Sequence, residues 1–218
     1  MRIYPALFAV AAGLSLGACG TSRHLPPYER PLARTDFQQV RTTAYTHTES
    51  DHQQYGNRTA LGGILHAAPP PAAPRAIPVA RTTNRASESD YQRIAYVSPS
   101  QRSQPFLADD FSGQIYGSAA ADWARWPAGT IFRVLSTGQL YRVEDYGWAL
   151  SGRNTIDLYM ATPREMNGWG VRQELIQIVH WGDPQESLRR LARHTKYRHI
   201  KRMVLELEGH ERAAANLD

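Results

Sequence analysis

The chain has 218 residues, of which 42% are hydrophobic and 21% charged. That is enough apolar material for one buried core and too little length for two sizeable domains. Lys and Arg number 25 against 20 Asp and Glu, a formal charge of +5, which points to anionic partners: wall polymers, membrane surfaces or nucleic acid. Cys19 is the only cysteine, so an intrachain disulfide and a cysteine-rich metal site are both excluded.

At the amino terminus, Arg2 precedes an apolar stretch from Ala6 to Leu16 that ends in Leu16-Gly17-Ala18-Cys19. A transmembrane helix needs about 20 apolar residues, so this shorter run reads as a signal peptide over residues 1–18. Leu-Gly-Ala-Cys resembles the lipobox of bacterial lipoproteins. The resemblance implies cleavage before Cys19, lipidation of Cys19, and anchoring through acyl chains at about 0.8 kcal/mol per buried CH₂. Gly20, rather than Asp, after the cysteine resembles the sorting pattern for the outer membrane, facing the periplasm. Export takes nucleic acid off the list of partners. The alternative is an ordinary secretory signal with an incidental cysteine.

Residues 19–39 carry Pro26, Pro27 and Pro31 without periodicity and read as a tether. The stretch 40–45 is rich in β-branched and aromatic residues, as a strand should be. Gly56 and Gly62-Gly63 then punctuate a loop. Within 67–93, Ala-Ala-Pro-Pro-Pro-Ala-Ala-Pro followed by polar residues marks an exposed insertion. Strands are expected at 94–97, 114–116, 130–135, 140–144, 155–160 and 172–181, and so many short strands with few helices indicate a small barrel or sandwich. Thr162-Pro163-Arg164-Glu165 has the grammar of a helix start. Asp183-Pro184-Gln185-Glu186 repeats it before a longer helix expected to reach toward Glu208, with Leu188, Leu191, Ala192 and Thr195 at helical spacing. Arg189, Arg190, Arg193, Lys196, Arg198, Lys201 and Arg202 make 182–218 an amphipathic basic helix and tail. That basic stripe is either a solvated face or a docking face for anionic lipid, wall carboxylates or an envelope protein.

Three aspartates stand out. Asp122 closes Ser118-Ala119-Ala120-Ala121-Asp122 shortly before Pro127-Ala128-Gly129-Thr130, Asp145 sits in Val143-Glu144-Asp145-Tyr146-Gly147, and Asp157 interrupts Thr155-Ile156-Asp157-Leu158-Tyr159-Met160. In a strand, Ile156, Leu158 and Met160 face the core while Thr155, Asp157 and Tyr159 share the opposite side. Each carboxylate also has a structural alternative. Asp122 would satisfy amides of its own loop, Asp145 would fix the Gly147 turn, and Asp157 would be an exposed strand carboxylate.

These segments, in order, resemble the three-aspartate (3D) domain, a double-psi β-barrel of bacterial wall proteins related to the carboxy-terminal part of membrane-bound lytic transglycosylases. Thr43-Ala44-Tyr45 resembles the opening strand, and Gly56 to Gly62 the Thr-Ala-x-Gly loop. Ala121-Asp122 with Pro127-Ala128-Gly129-Thr130 is similar to the first aspartate and its turn. Asp145 to Gly152 is similar to the second-aspartate loop, Arg153 to Met160 to the Ile-Asp-Leu-Tyr segment, and Trp169-Gly170 precedes the closing strand. The resemblance covers about residues 40–181. It implies a mainly β fold, a six-stranded double-psi barrel with a short helix and the carboxy-terminal basic helix, acting on peptidoglycan glycan strands.

By the same resemblance, Asp157 is the acid and base that cleaves the β-1,4 bond between N-acetylmuramic acid and N-acetylglucosamine, Asp145 is its charged neighbour, and Asp122 is supporting. One carboxyl suffices where the sugar's own 6-hydroxyl closes a 1,6-anhydro ring, whereas a hydrolase places two across the bond. An unperturbed aspartate titrates near 3.9, so this role requires burial or a like charge to keep the proton. Tyr45, Tyr146, Trp148, Tyr159 and Trp169 are candidates to line a sugar groove, or else belong to the core. The chain departs from the family where Trp148 replaces a glycine and where the second large domain of the transglycosylases is missing. A non-catalytic wall-binding module and an envelope scaffold therefore remain as alternatives. No cofactor is expected. His47, Glu49, Asp51 and His52 lack a recognisable zinc spacing, so no metal site is expected either, and neither a phosphate loop nor a nucleophilic-serine motif occurs.

Overall fold

The computed structural model describes residues 24–49, 55–70 and 115–217. The segment 1–18, Cys19, most of the Pro-rich insertion and the strand expected at 94–97 lie outside the described residues. Six strands, β1 (Phe37–Tyr45), β2 (Gly117–Ala121), β3 (Ile131–Val134), β4 (Leu140–Asp145), β5 (Thr155–Tyr159) and β6 (Arg172–His180), close into a barrel in the order β1-β5-β2-β4-β3-β6. Pairs β1–β5 and β2–β4 are parallel and the others antiparallel. Parallel partners demand crossovers, which is why strands adjacent in sequence, such as β1 and β2, are not neighbours in the sheet.

Strand alternation builds the interior. On β5, Ile156 and Leu158 are fully buried and join Val40, Phe132, Val134, Tyr141, Val143 and Ile176 in one apolar cluster. Each such side chain is stabilised by about 1.5–3 kcal/mol on leaving water. Trp123 and Trp126 are 1% exposed, and their indole N–H groups donate to the Asp145 carbonyl and to Gln38 Oε1, both at 2.9 Å, so neither is buried unpaired.

The strand expected at 114–116 instead runs over Gly117–Ala121, every residue of it buried. Gly and Ala have little intrinsic strand preference; what places them here is space. A Cβ on Gly117 would stand 2.6 Å from the Tyr141 ring and 2.7 Å from the Ala68 methyl. Pairing on both sides, with β5 and β4, then fixes the strand.

Helix α1 (Pro163–Trp169) starts with the expected capping box, Thr162 and Glu165 each bonding the other's backbone amide. Helix α2 (Pro184–Leu191) is capped by Asp183. The single longer helix expected beyond it is not formed. The chain passes through a 3₁₀ turn (Ala192–His194), restarts as α3 (Arg198–Leu207) and ends with α4 (Glu211–Ala215). The break lets Leu191 of α2 and Ile200, Met203 and Val204 of α3 reach one core, and that burial outweighs the continuity of the sequence pattern. Gly182, which leads into α2, leaves no room for a side chain: a Cβ would lie 2.2 Å from the Ala128 carbonyl oxygen. Among the described residues no helix is long and apolar enough to cross a membrane.

Part of the stretch read as tether is bound to the barrel. Strand β1 begins at Phe37, and upstream of it the Glu29 amide donates to the Gly152 carbonyl at 2.8 Å. The Asn154 side chain donates to the Arg30 carbonyl at 2.8 Å, Arg202 donates to the Pro26 carbonyl at 2.7 Å, and Arg125 donates to the Glu29 carbonyl.

Candidate functional site

Outside the main core, Tyr45, Leu65, Ala120, Leu150 and Tyr159 form a second, smaller apolar cluster. Above it opens a groove of about 280 Å³ whose walls include Arg41, Thr43, Tyr45, Trp148, Arg153 and Asp157. Two strands supply the polar wall by simple alternation: Arg41, Thr43 and Tyr45 from β1, Thr155 and Asp157 from β5. Their parallel register sets Arg41 against Thr155, Thr43 against Asp157 and Tyr45 against Tyr159.

Asp157 is half-buried, and its Oδ1 accepts a hydrogen bond from Thr43 Oγ1 at 2.8 Å. On the far side of β5 it is in register with Ala120 of β2, and Ala120 is in turn in register with Asp145 of β4. A break in register between Ala119 and Ala120 inserts Glu144 as an extra residue and brings Asp145 level with Ala120, the re-aiming that a β-bulge produces. The small Ala120 thus has a carboxylate residue on each neighbouring strand. Asp145 Oδ1 accepts from the Tyr146 amide at 2.9 Å.

The Tyr45 phenol reports on both acids. Burial pushes its pKa well above the usual value, and the charges of Asp145 and then Asp157 push it further. Tyr146, on the groove wall, meets Trp123 edge-on at 4.8 Å between ring centroids. Its phenol is likewise raised by burial first and by Asp145 second. Trp148 stands on a 3₁₀ turn (Trp148–Leu150) at the groove, 36% exposed, above the buried Leu150.

Other candidates fall elsewhere. Tyr159 is buried edge-on against Tyr45, with its hydroxyl 2.7 Å from His47 Nδ1, and does not line the groove. Trp169 donates its indole N–H to Thr42 Oγ1 at 3.2 Å, under the Arg172 guanidinium. Thr42 is on the opposite face of β1 from Thr43, so Trp169 is not brought to the groove. Asp122 is fully buried and accepts from the amides of Ala124 at 2.8 Å and Gly152 at 2.5 Å. Arg125 sits between it and Glu206, 3.2 Å from Glu206 and 4.0 Å from Asp122. Burial pushes the Asp122 carboxyl up against the opposing pull of Arg125, the two amides and Arg202. Glu206 is pushed up to about 7 by burial and by the Asp122 charge.

Cys19, Asp51 and His52 lie outside the described residues, and within them no group of three His, Cys, Asp or Glu side chains is placed to hold a metal ion. Arg41, Thr43, Thr155 and Arg153 were not singled out as site residues from the sequence. The signal for the first two was present as period-two spacing with Tyr45. Arg153 and Glu29 carry no local signal, because only the fold brings them together.

Chemically, the groove offers a carboxyl held by a hydroxyl, an indole at the rim and two guanidiniums at the other end. No protein-family model and no curated protein matches the chain.

Proposed function

We propose that the groove binds a glycan strand of peptidoglycan and that Asp157 cleaves it as a lytic transglycosylase does, in a lipid-anchored protein of the bacterial envelope. The observation that carries this reading is the placement of Asp157 on the wall of the groove, with Asp145 across Ala120 and Trp148 at the rim. A volume of about 280 Å³ is near the lower end of the usual range for ligand clefts and suits one or two sugar rings. The indole offers the flat apolar surface on which a sugar face stacks.

Asp157 donates its proton to the bridging oxygen as the glycosidic bond breaks, then accepts the proton of the 6-hydroxyl as O6 bonds the anomeric carbon. The product is a 1,6-anhydro sugar, and no water is consumed. The mechanism requires a proton on Asp157 before cleavage. The ordered aspartate segments that resemble the 3D domain, and the lipobox at Cys19, support the same reading.

Incubating the purified full-length protein with sacculi is expected to release 1,6-anhydro muropeptides, and Asp157→Asn to abolish the release. If both proteins are equally inert, the enzyme reading fails. The partly exposed Trp148, where the family has a glycine, favours a second reading: a wall-binding module that holds glycan without cutting it. Sedimentation with sacculi, with no product from either protein, is the result expected of that version.

A further inference from the structure

At the end of the groove away from Tyr45, two guanidiniums share one carboxylate. Arg41 Nη1 lies 3.2 Å from Glu29 Oε1, and Arg153 Nε lies 3.4 Å from the same oxygen. The other carboxylate oxygen, Oε2, is taken by the Asn154 amide at 2.7 Å. Arg41 also donates to Thr155 Oγ1 at 3.1 Å. Arg153 does less: the geometry to Glu29 is not that of a hydrogen bond, and its Nε is buried without another acceptor. Burial pushes the Glu29 carboxyl up, but the Asn154 amide and the two arginines outweigh it and hold it below the ordinary value. Glu29 is therefore ionised near neutrality, and the triad keeps one positive charge in excess. Both arginines line the groove and keep about a third of their side-chain surface, at 31% and 30%.

We infer that Arg41 and Arg153 form a subsite for a carboxylate of the bound glycan, with Glu29 occupying part of their bonding capacity in the unliganded protein. This rests on the glycan-binding reading above and adds a charge requirement to it. Arg41 precedes Thr43 by two residues on the same face of β1, so the subsite begins roughly 7 Å along the strand from the Thr43–Asp157 contact. A guanidinium matches a carboxylate with two parallel N–H donors. Glu29 does not hydrogen-bond Arg153, whose Nε is buried, and this leaves the two Nη groups to meet a ligand. In a peptidoglycan strand the carboxylate has two sources, the lactyl group of a peptide-free muramic acid and the stem peptide of a substituted one.

The test measures affinity in an Asp157→Asn background, which keeps the strand intact. Three ligands of similar length are compared: a neutral N-acetylglucosamine oligomer, a peptide-free glycan strand and a peptide-bearing strand. A carboxylate-bearing strand is expected to bind about fivefold more tightly than the neutral oligomer at low salt, the scale of one partly exposed charge pair. Arg153→Gln should erase that preference, weakening the carboxylate-bearing strands about fivefold more than the neutral oligomer. Glu29→Gln should widen it, because the competing carboxylate is gone. A purely structural triad would instead make both variants bind all three ligands more weakly by the same factor, leaving the preference in place. Sensitivity to Arg153→Gln with the peptide-free strand assigns the lactyl carboxylate, and sensitivity with the peptide-bearing strand alone assigns the stem peptide. If all three ligands bind and neither variant alters their order, the subsite is overturned while glycan binding stands. If none binds, the glycan reading fails and the subsite with it.

Discussion

Asp122 and Asp157 are the same residue type in two environments, one sealed and one half-buried. Asp122 is sealed beneath the surface, its oxygens held by two backbone amides and the Arg125 charge, and it ties the barrel to α3 through Glu206. Asp157 stands on the wall of an open groove, with Thr43 as a hydrogen-bond donor and Asp145 across one strand. Asp122 is scaffold because the backbone around it consumes its oxygens, whereas Asp157 is half-buried on a groove wall beside the small Ala120. The segments 118–122 and 155–160 look equally suggestive in sequence; only the closed sheet separates their roles.

The largest way to break this contrast is to remove each acid. Asp122→Ala leaves the amides of Ala124 and Gly152 buried without their acceptor and takes one counter-charge from Arg125, which keeps Glu206, and should cost about 3–5 kcal/mol in urea unfolding. Asp157→Asn should change stability by less than about 1 kcal/mol while abolishing product release. Equal destabilisation by the two would erase the distinction.

A second test exploits pH. Glu206 titrates at about 7 in the fold against an ordinary 4.5, so between those values the folded state binds more protons than the unfolded one. Its contribution is complete below about pH 4.5, declines as pH rises to about 7, and is flat above that. Against an opposing slope from His199, whose imidazole burial holds below its ordinary value, this titration should lower stability, read as the Tm, between about pH 5 and 7.5 by an amount on the order of 2 kcal/mol. Glu206→Gln, which cannot titrate, should flatten that slope. Glu29 works in the opposite sense, since its carboxyl is lowered. Its contribution is lost only as pH falls through its folded value, below this window, and does not mask the effect.

Smaller effects sharpen the picture of the groove. Trp148→Ala should weaken glycan affinity by about 1 kcal/mol, roughly fivefold, with little change in Tm. Tyr159→Phe removes the hydroxyl that meets His47 and should cost about 0.5–1.5 kcal/mol of stability without lowering glycan affinity, since the ring lies beneath Tyr45.

Much of the barrel was legible because burial follows period two. Ile156 and Leu158 against Asp157, and the capping box at Thr162 and Glu165, are local patterns, and local patterns survive folding. Strand β2 was displaced from expectation because Gly117 and the alanines after it are placed by tight packing against Tyr141 and Ala68, which the sequence does not display. The carboxy-terminal helix was read as continuous from Leu188, Leu191, Ala192 and Thr195, yet Ile200, Met203 and Val204 reach the core only if the chain turns after Leu191. For the site, the face carrying Asp157 was visible in sequence. Its alignment with Asp145 across Ala120 was not, because it depends on a crossover order and a bulge. Nor was the Glu29 triad, whose members are distant in sequence and lie partly in a stretch that reads as tether.

The central claim is that Asp157 moves a proton between sugar oxygens with no water entering the bond. Digestion of sacculi by the full-length protein in ¹⁸O-water, followed by mass spectrometry of the released muropeptides, tests it most directly. The account predicts anhydro products free of ¹⁸O and their disappearance in Asp157→Asn; reducing-end products carrying ¹⁸O, or unlabelled products that persist in that variant, would contradict it.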